Sequence, residues 1–173
     1  MMRRLLPLAI LLAVVIIAAL GLRRDPTTLP SMLVNRKAPA LRAALLQDGN
    51  TAHVGELQAM LPQDRPSLVN VWASWCTACM QEHDALLQLA SSGIPIFGLN
   101  YKDTTAAASA WLGTRGNPYQ AIFLDPQGII GRDWGVYGVP ETYLIDSSGV
   151  VRGRIVGPVD AQTIRQQLAG LSR

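Results

Sequence analysis

The feature that most constrains the fold is a pair of cysteines three positions apart, between an apolar strand-like run and a helix-like segment. Cys76 and Cys79 are the only cysteines among the 173 residues. The run Ser67–Ala73 precedes them, and Met80–Ala90, which follows, has apolar residues at the spacing of one helix face. The sequence therefore predicts a strand, a Cys-x-x-Cys motif and a helix in direct succession.

This arrangement is typical of redox-active dithiols. At a helix N-terminus, the free backbone N–H groups and the helix dipole favour the thiolate form of Cys76. Cys79 lies one turn further along the same face, so its sulfur can attack a mixed disulfide formed at Cys76 and release a reduced partner. The spacing predicts that Cys76 is the nucleophile and Cys79 the resolving thiol.

Two other uses of the cysteines stay open at this point. They could form a static structural disulfide, or they could bind zinc or copper together with His83, which lies four residues after Cys79. A zinc site usually needs four ligands, and the chain offers only one further histidine, His53. A catalytic dithiol, which requires no metal or organic cofactor, is the favoured interpretation.

A proline far along the chain supports the redox interpretation. Val139 and Pro140 lie just before the strand-like run Thr142–Ile145. An X-Pro bond takes the cis form at modest cost, and a cis bond here would expose backbone groups that can pair with an extended substrate segment. The alternative is an ordinary trans proline that opens a strand. We predict that Pro140 belongs to the catalytic site and that Val139 contacts substrate.

The rest of the sequence alternates between strand-like and helix-like segments. Short apolar runs predict strands over residues 41–46, 94–100, 119–124, 142–145 and 150–156. Apolar periodicity and cap residues predict helices over residues 55–61, 104–114 and 160–171. Strands that alternate with helices and end in a hairpin predict an α/β sheet, parallel in its middle and antiparallel at one edge.

Together these stretches resemble the thioredoxin superfamily and, within it, the DsbE/CcmG family of cytochrome c biogenesis. The resemblance covers about residues 36–171 and rests on Asn70–Cys76, on Cys79 with Glu82-His83, and on Gly98–Asp103, Gly116–Tyr119 and Gly135–Asp146. It implies a thioredoxin-like α/β fold with a central mixed β-sheet flanked by helices. One departure is Thr77-Ala78, where related proteins often carry a proline after the first cysteine.

The resemblance also implies an activity and partners. A member of this family would receive electrons from a membrane thiol reductase and reduce a disulfide in apocytochrome c or its thiol-carrying maturation factor. A general periplasmic disulfide oxidase or isomerase is the alternative within the same chemistry. Two alternatives of another class are a copper-binding module that uses the cysteines and His83, and an anchored interaction domain with a merely structural disulfide.

Three further residues near the motif are predicted to have roles. Glu82, three residues after Cys79, could relay the proton that this thiol loses before it attacks; a solvated helix carboxylate is the alternative. Trp75 is expected to cover Cys76 and offer an apolar contact to substrate. The resemblance implies an acidic surround to the site, with Glu141 as its second member and a substrate-binding residue.

The N-terminal residues 1–22 are predicted to be a membrane anchor. They contain an 18-residue stretch without a charge, flanked by arginine pairs, which is at the lower end of the length that spans a bilayer. A cleaved signal peptide is the alternative. Residues 23–38 predict an extended tether and residues 39–173 the thioredoxin-like domain. The resemblance implies a single-pass protein of the inner membrane whose catalytic domain faces the periplasm.

The basic net charge of +3 does not indicate a nucleic-acid partner, because of where the charges lie. Residues 1–38 hold six basic residues and one acidic residue, whereas residues 39–173 hold nine basic and eleven acidic residues. The basic excess therefore belongs to the flanks of the predicted anchor. The domain has no basic stripe with interleaved aromatic residues, so DNA and RNA are not expected as ligands.

Overall fold

The computed structural model describes Leu12, residues 31–47 and residues 50–171, the side chains of residues 50–52 excepted. The predicted anchor, residues 1–22, lies outside the described residues apart from Leu12, as does the alternative of a cleaved signal peptide. Over the described residues, no helix has the length and apolar character needed to cross a bilayer.

Strands and helices alternate through residues 31–171. The strands are β1 (Arg42–Gln47), β2 (Asn50–Glu56), β3 (Ser67–Trp72), β4 (Ile96–Tyr101), β5 (Ala121–Asp125), β6 (Glu141–Ile145) and β7 (Val151–Val156). The helices in this part of the chain are α1 (Leu57–Met60), α2 (Thr77–Ser91), α3 (Thr105–Arg115), α4 (Ile129–Asp133) and α5 (Ala161–Leu171).

The strands form one seven-stranded sheet in the order β2-β1-β5-β4-β3-β6-β7. The central strands β3, β4 and β5 pair in parallel. β6 and β7 continue the sheet antiparallel on one side, and β1 and β2 do so on the other. The predicted α/β fold with a mixed sheet is confirmed, but both edges of the sheet are antiparallel rather than one.

β3 is buried along its whole length because it has a strand on each side and packed layers on both faces. Its side chains alternate between these faces. Leu68 and Trp72 belong to the core cluster that includes both cysteines and the buried residues of α2 and α5, whereas Val69 and Val71 belong to the cluster on the opposite face. By the same alternation, Asn70 lies on the face toward α2.

The structure corrects the sequence prediction at the start of the domain. The sequence predicts a helix over residues 55–61, but β2 continues through Glu56 and only Leu57–Met60 are helical. The antiparallel ladder with β1 explains the difference, since it pairs Gly55 with Ala43 and Glu56 with Arg42. This pairing is non-local, and local patterns do not reveal it.

Part of the predicted tether lies on the domain. The Asn35 N–H donates to the Val151 carbonyl oxygen at 2.7 Å, and the Ala38 N–H donates to the Gly149 carbonyl oxygen at 2.9 Å. Leu33 packs against the core. Residues 31–38 are therefore held against the β6–β7 hairpin rather than extended away from it, and residues 23–30 lie outside the described part of the chain.

Gly98 in β4 allows two aromatic rings to lie close to the sheet. A Cβ atom at this position would lie 2.9 Å from Trp72 Nε1 and 3.0 Å from Tyr119 Cγ. The two rings stack with centroids 5.4 Å apart. The absence of a side chain at Gly98 is therefore a packing requirement of the layer that holds the cysteines.

We expect Gly98→Ala to lower the free energy of unfolding by roughly 1–3 kcal/mol, because its methyl group must displace two buried rings. Urea unfolding followed by circular dichroism measures this change. Gly113→Ala is the matched control, since its Cβ atom would meet nothing within 4 Å and alanine favours the helix that contains it. An equal loss in both variants would contradict the packing argument.

Candidate active site

The two cysteines lie where the chain leaves the carboxyl end of the central strand β3. Cys76 is the N-cap residue of α2, and its Sγ accepts a hydrogen bond from the Cys79 backbone N–H at 3.0 Å. The two residues are joined by a disulfide bond, and they are 5% and 2% exposed. The structure therefore places Cys76 at the helix N-terminus and Cys79 one turn further in, as the sequence predicts.

The span of this disulfide argues against a purely structural role. A disulfide stabilises mainly by restricting the unfolded chain, and this effect grows with the length of the closed loop. Only Thr77 and Ala78 lie between the two cysteines, so the gain in stability is small. In the reduced state, the helix N-terminus and the Cys79 N–H are in place to stabilise a thiolate at Cys76.

The carboxylate of Asp103 organises the loop before Cys76. It accepts hydrogen bonds from the Ser74 N–H at 2.6 Å and from the Ser74 hydroxyl at 2.9 Å. It also accepts from Asn100 Nδ2 at 3.0 Å and from the Thr104 N–H at 2.8 Å. One side chain thus joins the β4–α3 connection to the β3–α2 loop.

Trp75 combines exposure with a defined position. Its side chain is 57% exposed, and its Nε1–H donates to the Lys102 carbonyl oxygen at 2.9 Å. It therefore presents an apolar ring to solvent next to Cys76, which is consistent with the predicted contact to partners. Trp72, by contrast, is buried in the core.

The Val139–Pro140 peptide bond is cis, so the alternative of an ordinary trans proline is wrong. The pairing of β3 with β6 sets Val71 opposite Glu141, so the cis bond lies beside the end of β3 from which the cysteine loop departs. Pro140 is buried and Val139 is half-buried. The structure thus brings these two predicted site residues to the same end of the sheet as the cysteines.

Glu82 lies on the buried face of α2, one turn beyond Cys79, and has no solvent exposure. Its Oε1 accepts from Asn70 Nδ2 at 2.8 Å, and its Oε2 accepts from the Val159 N–H at 3.0 Å. Burial raises the pKa of Glu82 to about 7, although these two hydrogen bonds oppose the shift. The alternative of a solvated carboxylate is therefore wrong. With this pKa, the Glu82 carboxyl group can exchange a proton near neutral pH.

Glu141 is also fully buried, but it is paired with a cation. Arg154 donates to both of its oxygens, at 2.7 and 2.9 Å. The Tyr137 and Gly138 N–H groups donate to Oε1, and the Tyr143 hydroxyl donates to Oε2. The carboxylate is thus saturated and away from solvent, and it holds the loop before Pro140; a role of Glu141 in substrate binding stays a prediction.

His83 does not face the cysteines as a metal ligand would. It is 3% exposed, and its Nε2 lies 3.1 and 3.2 Å from the carbonyl oxygens of Arg115 and Gly116 at the end of α3. Its ring meets Trp111 edge-on, with centroids 4.4 Å apart. Burial lowers the pKa of His83. Across the described residues, no three histidine, cysteine or acidic side chains are arranged to hold a metal ion.

The roles of Asp103, Asn70 and Arg154 do not follow from local sequence, although each residue has a feature that marks it. Asp103 follows a buried strand and precedes the helix N-cap, and side chains at the carboxyl ends of neighbouring parallel strands meet at one edge of a sheet. Asn70 and Arg154 are polar residues inside strand-like runs, and a buried polar group needs a partner. The identity of those partners depends on strand order, which local patterns do not contain.

Comparison with known proteins identifies relatives of this chain. The family described as Redoxin matches residues 33–168. The thiol:disulfide interchange protein DsbE of Pseudomonas aeruginosa is 46% identical over 167 residues, which cover 96% of this chain and 91% of the relative. The protein of the same name from Escherichia coli is 38% identical over 172 residues, with coverages of 96% and 91%.

Solved structures agree with the observed architecture. A structure from Chlorobium tepidum, described as a candidate thiol:disulfide interchange protein DsbE, has a TM-score of 0.68 at 25% identity, over 84% of this chain and 100% of that one. A DsbF homologue from Corynebacterium diphtheriae has a TM-score of 0.70 at 19% identity, over 86% and 97% of the two chains, and is informative about the fold alone. The thioredoxin-like fold predicted from the sequence is confirmed.

The free energy of unfolding of the oxidised protein should depend on the protonation of Glu82. It should fall as the pH rises through the range in which Glu82 is ionised in the unfolded chain but still protonated in the folded protein. The pKa of Glu82 is 4.5 in the unfolded reference and about 7 in the folded protein. Between these values the unfolded chain binds fewer protons, so the free energy of unfolding falls, by about 3 kcal/mol in total.

Glu82→Gln should remove this dependence, as urea unfolding at a series of pH values would reveal. Glu56→Gln, which neutralises an exposed carboxylate, is the control and should run parallel to the unsubstituted protein. A Glu82→Gln curve that kept the same slope would show that another group titrates in this range.

Asp103→Ala should loosen the loop that carries Trp75. The substitution leaves the Ser74 and Thr104 N–H groups without their acceptor, so we expect roughly 2 kcal/mol lower stability and faster amide exchange at these residues. Hydrogen exchange detected by NMR measures both amides directly. Asp84→Ala, which removes an exposed carboxylate from α2, should leave their exchange unchanged. Unchanged exchange in Asp103→Ala would refute the proposed role of this side chain.

Proposed function

Because this chain belongs to the Redoxin family and, within it, to the DsbE thiol:disulfide interchange proteins, we propose that it is the reductant of cytochrome c maturation. The chain is a thiol-disulfide oxidoreductase. In this role it reduces a disulfide of apocytochrome c, or of its thiol-carrying maturation factor, so that free thiols are available for haem attachment. The observation that carries the proposal is a helix-capping disulfide one turn before a buried carboxylate.

The reaction begins from the reduced dithiol. The Cys76 thiolate attacks a sulfur of the substrate disulfide, a mixed disulfide forms, and one substrate sulfur leaves as a thiolate. Cys79 then loses its proton and attacks the Cys76 sulfur. The bond between Cys76 and the substrate breaks, and the second substrate sulfur is released. The substrate has gained two electrons, and Cys76 and Cys79 are joined in the oxidised form that the structure describes.

Glu82 accepts the proton that Cys79 loses in the second step. A general base works best when its pKa is near the working pH, and burial raises the pKa of Glu82 to about 7. Its place one turn after Cys79 on the same buried face of α2 puts the two side chains side by side. A membrane thiol reductase then supplies two electrons to restore the dithiol.

Substrate docks on the surface around Cys76. Trp75 and Tyr137 are both aromatic and exposed, at 57% and 77%, and the Arg154 guanidinium lies 4.8 Å from the Tyr137 ring centroid. Trp75 belongs to the cysteine loop, and Tyr137 belongs to the loop before the cis bond. An extended segment between them can pair with the backbone at Val139 while its disulfide meets Cys76.

We propose that residues 1–22 anchor the protein in the inner membrane, with the catalytic domain in the periplasm. The 18-residue uncharged stretch supports this location. A compartment that oxidises paired cysteines also explains why a dedicated reductant is needed there.

Cysteine variants of the full-length chain test the order of attack. With a peptide that carries the disulfide of a Cys-x-x-Cys-His haem-attachment motif, reduced Cys79→Ser should accumulate a mixed disulfide through Cys76, detected by mass spectrometry. Cys76→Ser should form none, because Cys79 lies one turn inside α2 and lacks the N-cap position that favours a thiolate. A mixed disulfide at Cys79 in the Cys76→Ser variant would reverse the assigned roles.

The equilibrium reduction potential decides between a reductant and a general oxidase. A reductant should lie well below about −120 mV, the potential of a strong thiol oxidant, and toward the value of about −270 mV of thioredoxin. Thiol trapping of the full-length chain against a series of dithiothreitol buffers measures it. A potential near that of the strong oxidant would reverse the proposed direction of electron flow.

A further inference from the structure

Asn70 is a buried amide at the centre of the apolar strand β3. It has no solvent exposure, and it lies on the face of β3 that packs against α2. An amide in such a place is unfavourable unless its donors and its acceptor are all satisfied. The partners of Asn70 therefore determine what this residue does.

The amide of Asn70 has a hydrogen bond for each of its polar groups. Its Nδ2 donates to Glu82 Oε1 at 2.8 Å and to Thr142 Oγ1 at 3.0 Å. Its Oδ1 accepts from the Tyr119 hydroxyl at 2.8 Å. Both N–H bonds and the carbonyl oxygen are thus used, and the partners come from α2, from β6 and from the segment before β5.

Glu82 and Tyr119 together determine which way the amide points. A flipped amide would set an N–H₂ group against the Tyr119 hydroxyl and the carbonyl oxygen of Asn70 against the oxygens of Glu82 and Thr142. Two acceptors in contact at Glu82 would repel each other once the carboxylate is ionised. The Tyr119 hydroxyl donates to Oδ1 instead, and this holds the N–H groups of Asn70 on the side of Glu82.

Asn70 is the side chain that stabilises the ionised form of Glu82. The hydrogen-bond donors to this carboxylate are the Asn70 amide and the Val159 backbone N–H, and both are neutral. Tyr119 is the titratable group that interacts with Glu82 electrostatically; burial raises its pKa far above neutrality, so it stays protonated. On α2 itself, Cys79 and His83 are the neighbours that can titrate.

We propose that Asn70 is the positioning residue for the resolving step, holding the Glu82 carboxylate in place and in its proton-accepting form, with Tyr119 locking the orientation of the Asn70 amide. A hydrogen bond donated to a carboxylate favours its ionised state. Without Asn70, Glu82 would bind its proton more tightly and would be ready to accept the Cys79 proton only at higher pH. The link to Cys79 rests on the proposed function, whereas the effect on Glu82 does not.

The first test is a titration of Glu82 in the oxidised full-length chain, in which no thiol is present. Carbon-13 NMR of the glutamate side-chain carboxyls follows the group directly, and Glu82→Gln identifies its signal. Asn70→Leu, which keeps the branched shape but removes the amide, should raise the midpoint by about one pH unit. Tyr119→Phe should raise it by less, because the amide remains but is no longer locked.

Tyr143→Phe is the matched control for Tyr119→Phe. It also removes one buried tyrosine hydroxyl, which lies 2.9 Å from both the Trp134 carbonyl oxygen and Glu141 Oε2, and Tyr143 belongs to the opposite core cluster. A merely structural role for Asn70 and Tyr119 would lower stability in all these variants without moving the midpoint of Glu82. If Asn70→Leu does not fold, the comparison of Tyr119→Phe with Tyr143→Phe decides the question alone.

The second test connects Asn70 to the chemistry. In single-turnover reduction of a disulfide peptide, the pH midpoint of mixed-disulfide resolution should rise in Asn70→Leu by the same amount as the NMR midpoint. In a Glu82→Gln background, Asn70→Leu should cause no further shift. A folded Asn70→Leu protein with an unchanged or lowered Glu82 midpoint would overturn the inference. Failure to reduce haem-motif peptides would instead count against the proposed substrate and leave the titration result standing.

Discussion

The burial of β3 on both faces and along both edges is the constraint on which the site depends. Because this strand cannot move without disturbing two core clusters, its carboxyl end is a fixed point for the cysteine loop. Its parallel partner β4 ends at the same edge and brings Asp103 to that loop, while its antiparallel partner β6 begins there with the cis Val139–Pro140 bond beside it. The site is thus assembled from neighbours of one strand rather than from one continuous segment.

Two fully buried glutamates show how environment separates residues of the same type. Glu141 has a bidentate arginine partner, so its charge is balanced and its role is to shape a loop. Among the described residues, the donors to Glu82 are neutral, so burial raises its pKa to about 7 and leaves it able to exchange a proton. The partners of a buried carboxylate therefore decide whether it balances a cation or exchanges a proton.

Much of the site follows from local sequence. The Cys-x-x-Cys spacing at a strand–helix junction suffices to predict a helix-capping dithiol, because the geometry of one helix turn is local. The place of Pro140 in the site is predicted from a proline before a strand-like run together with that motif, whereas the cis form of its peptide bond is known only from the folded structure. By contrast, the helix predicted over residues 55–61 is shortened to Leu57–Met60, because β2 pairs with β1 and continues through Glu56.

The sequence by itself determined the dithiol, its place at a helix N-terminus and the alternation of strands with helices, since each of these depends on residues close together in the chain. Only the tertiary structure decided the burial and the hydrogen-bond partners of Glu82, Glu141 and His83. These partners lie far away in the sequence: Asn70 and Val159 for Glu82, Arg154 for Glu141, and the end of α3 for His83. The desolvation of a charge is a property of the packed core, and no local pattern encodes it.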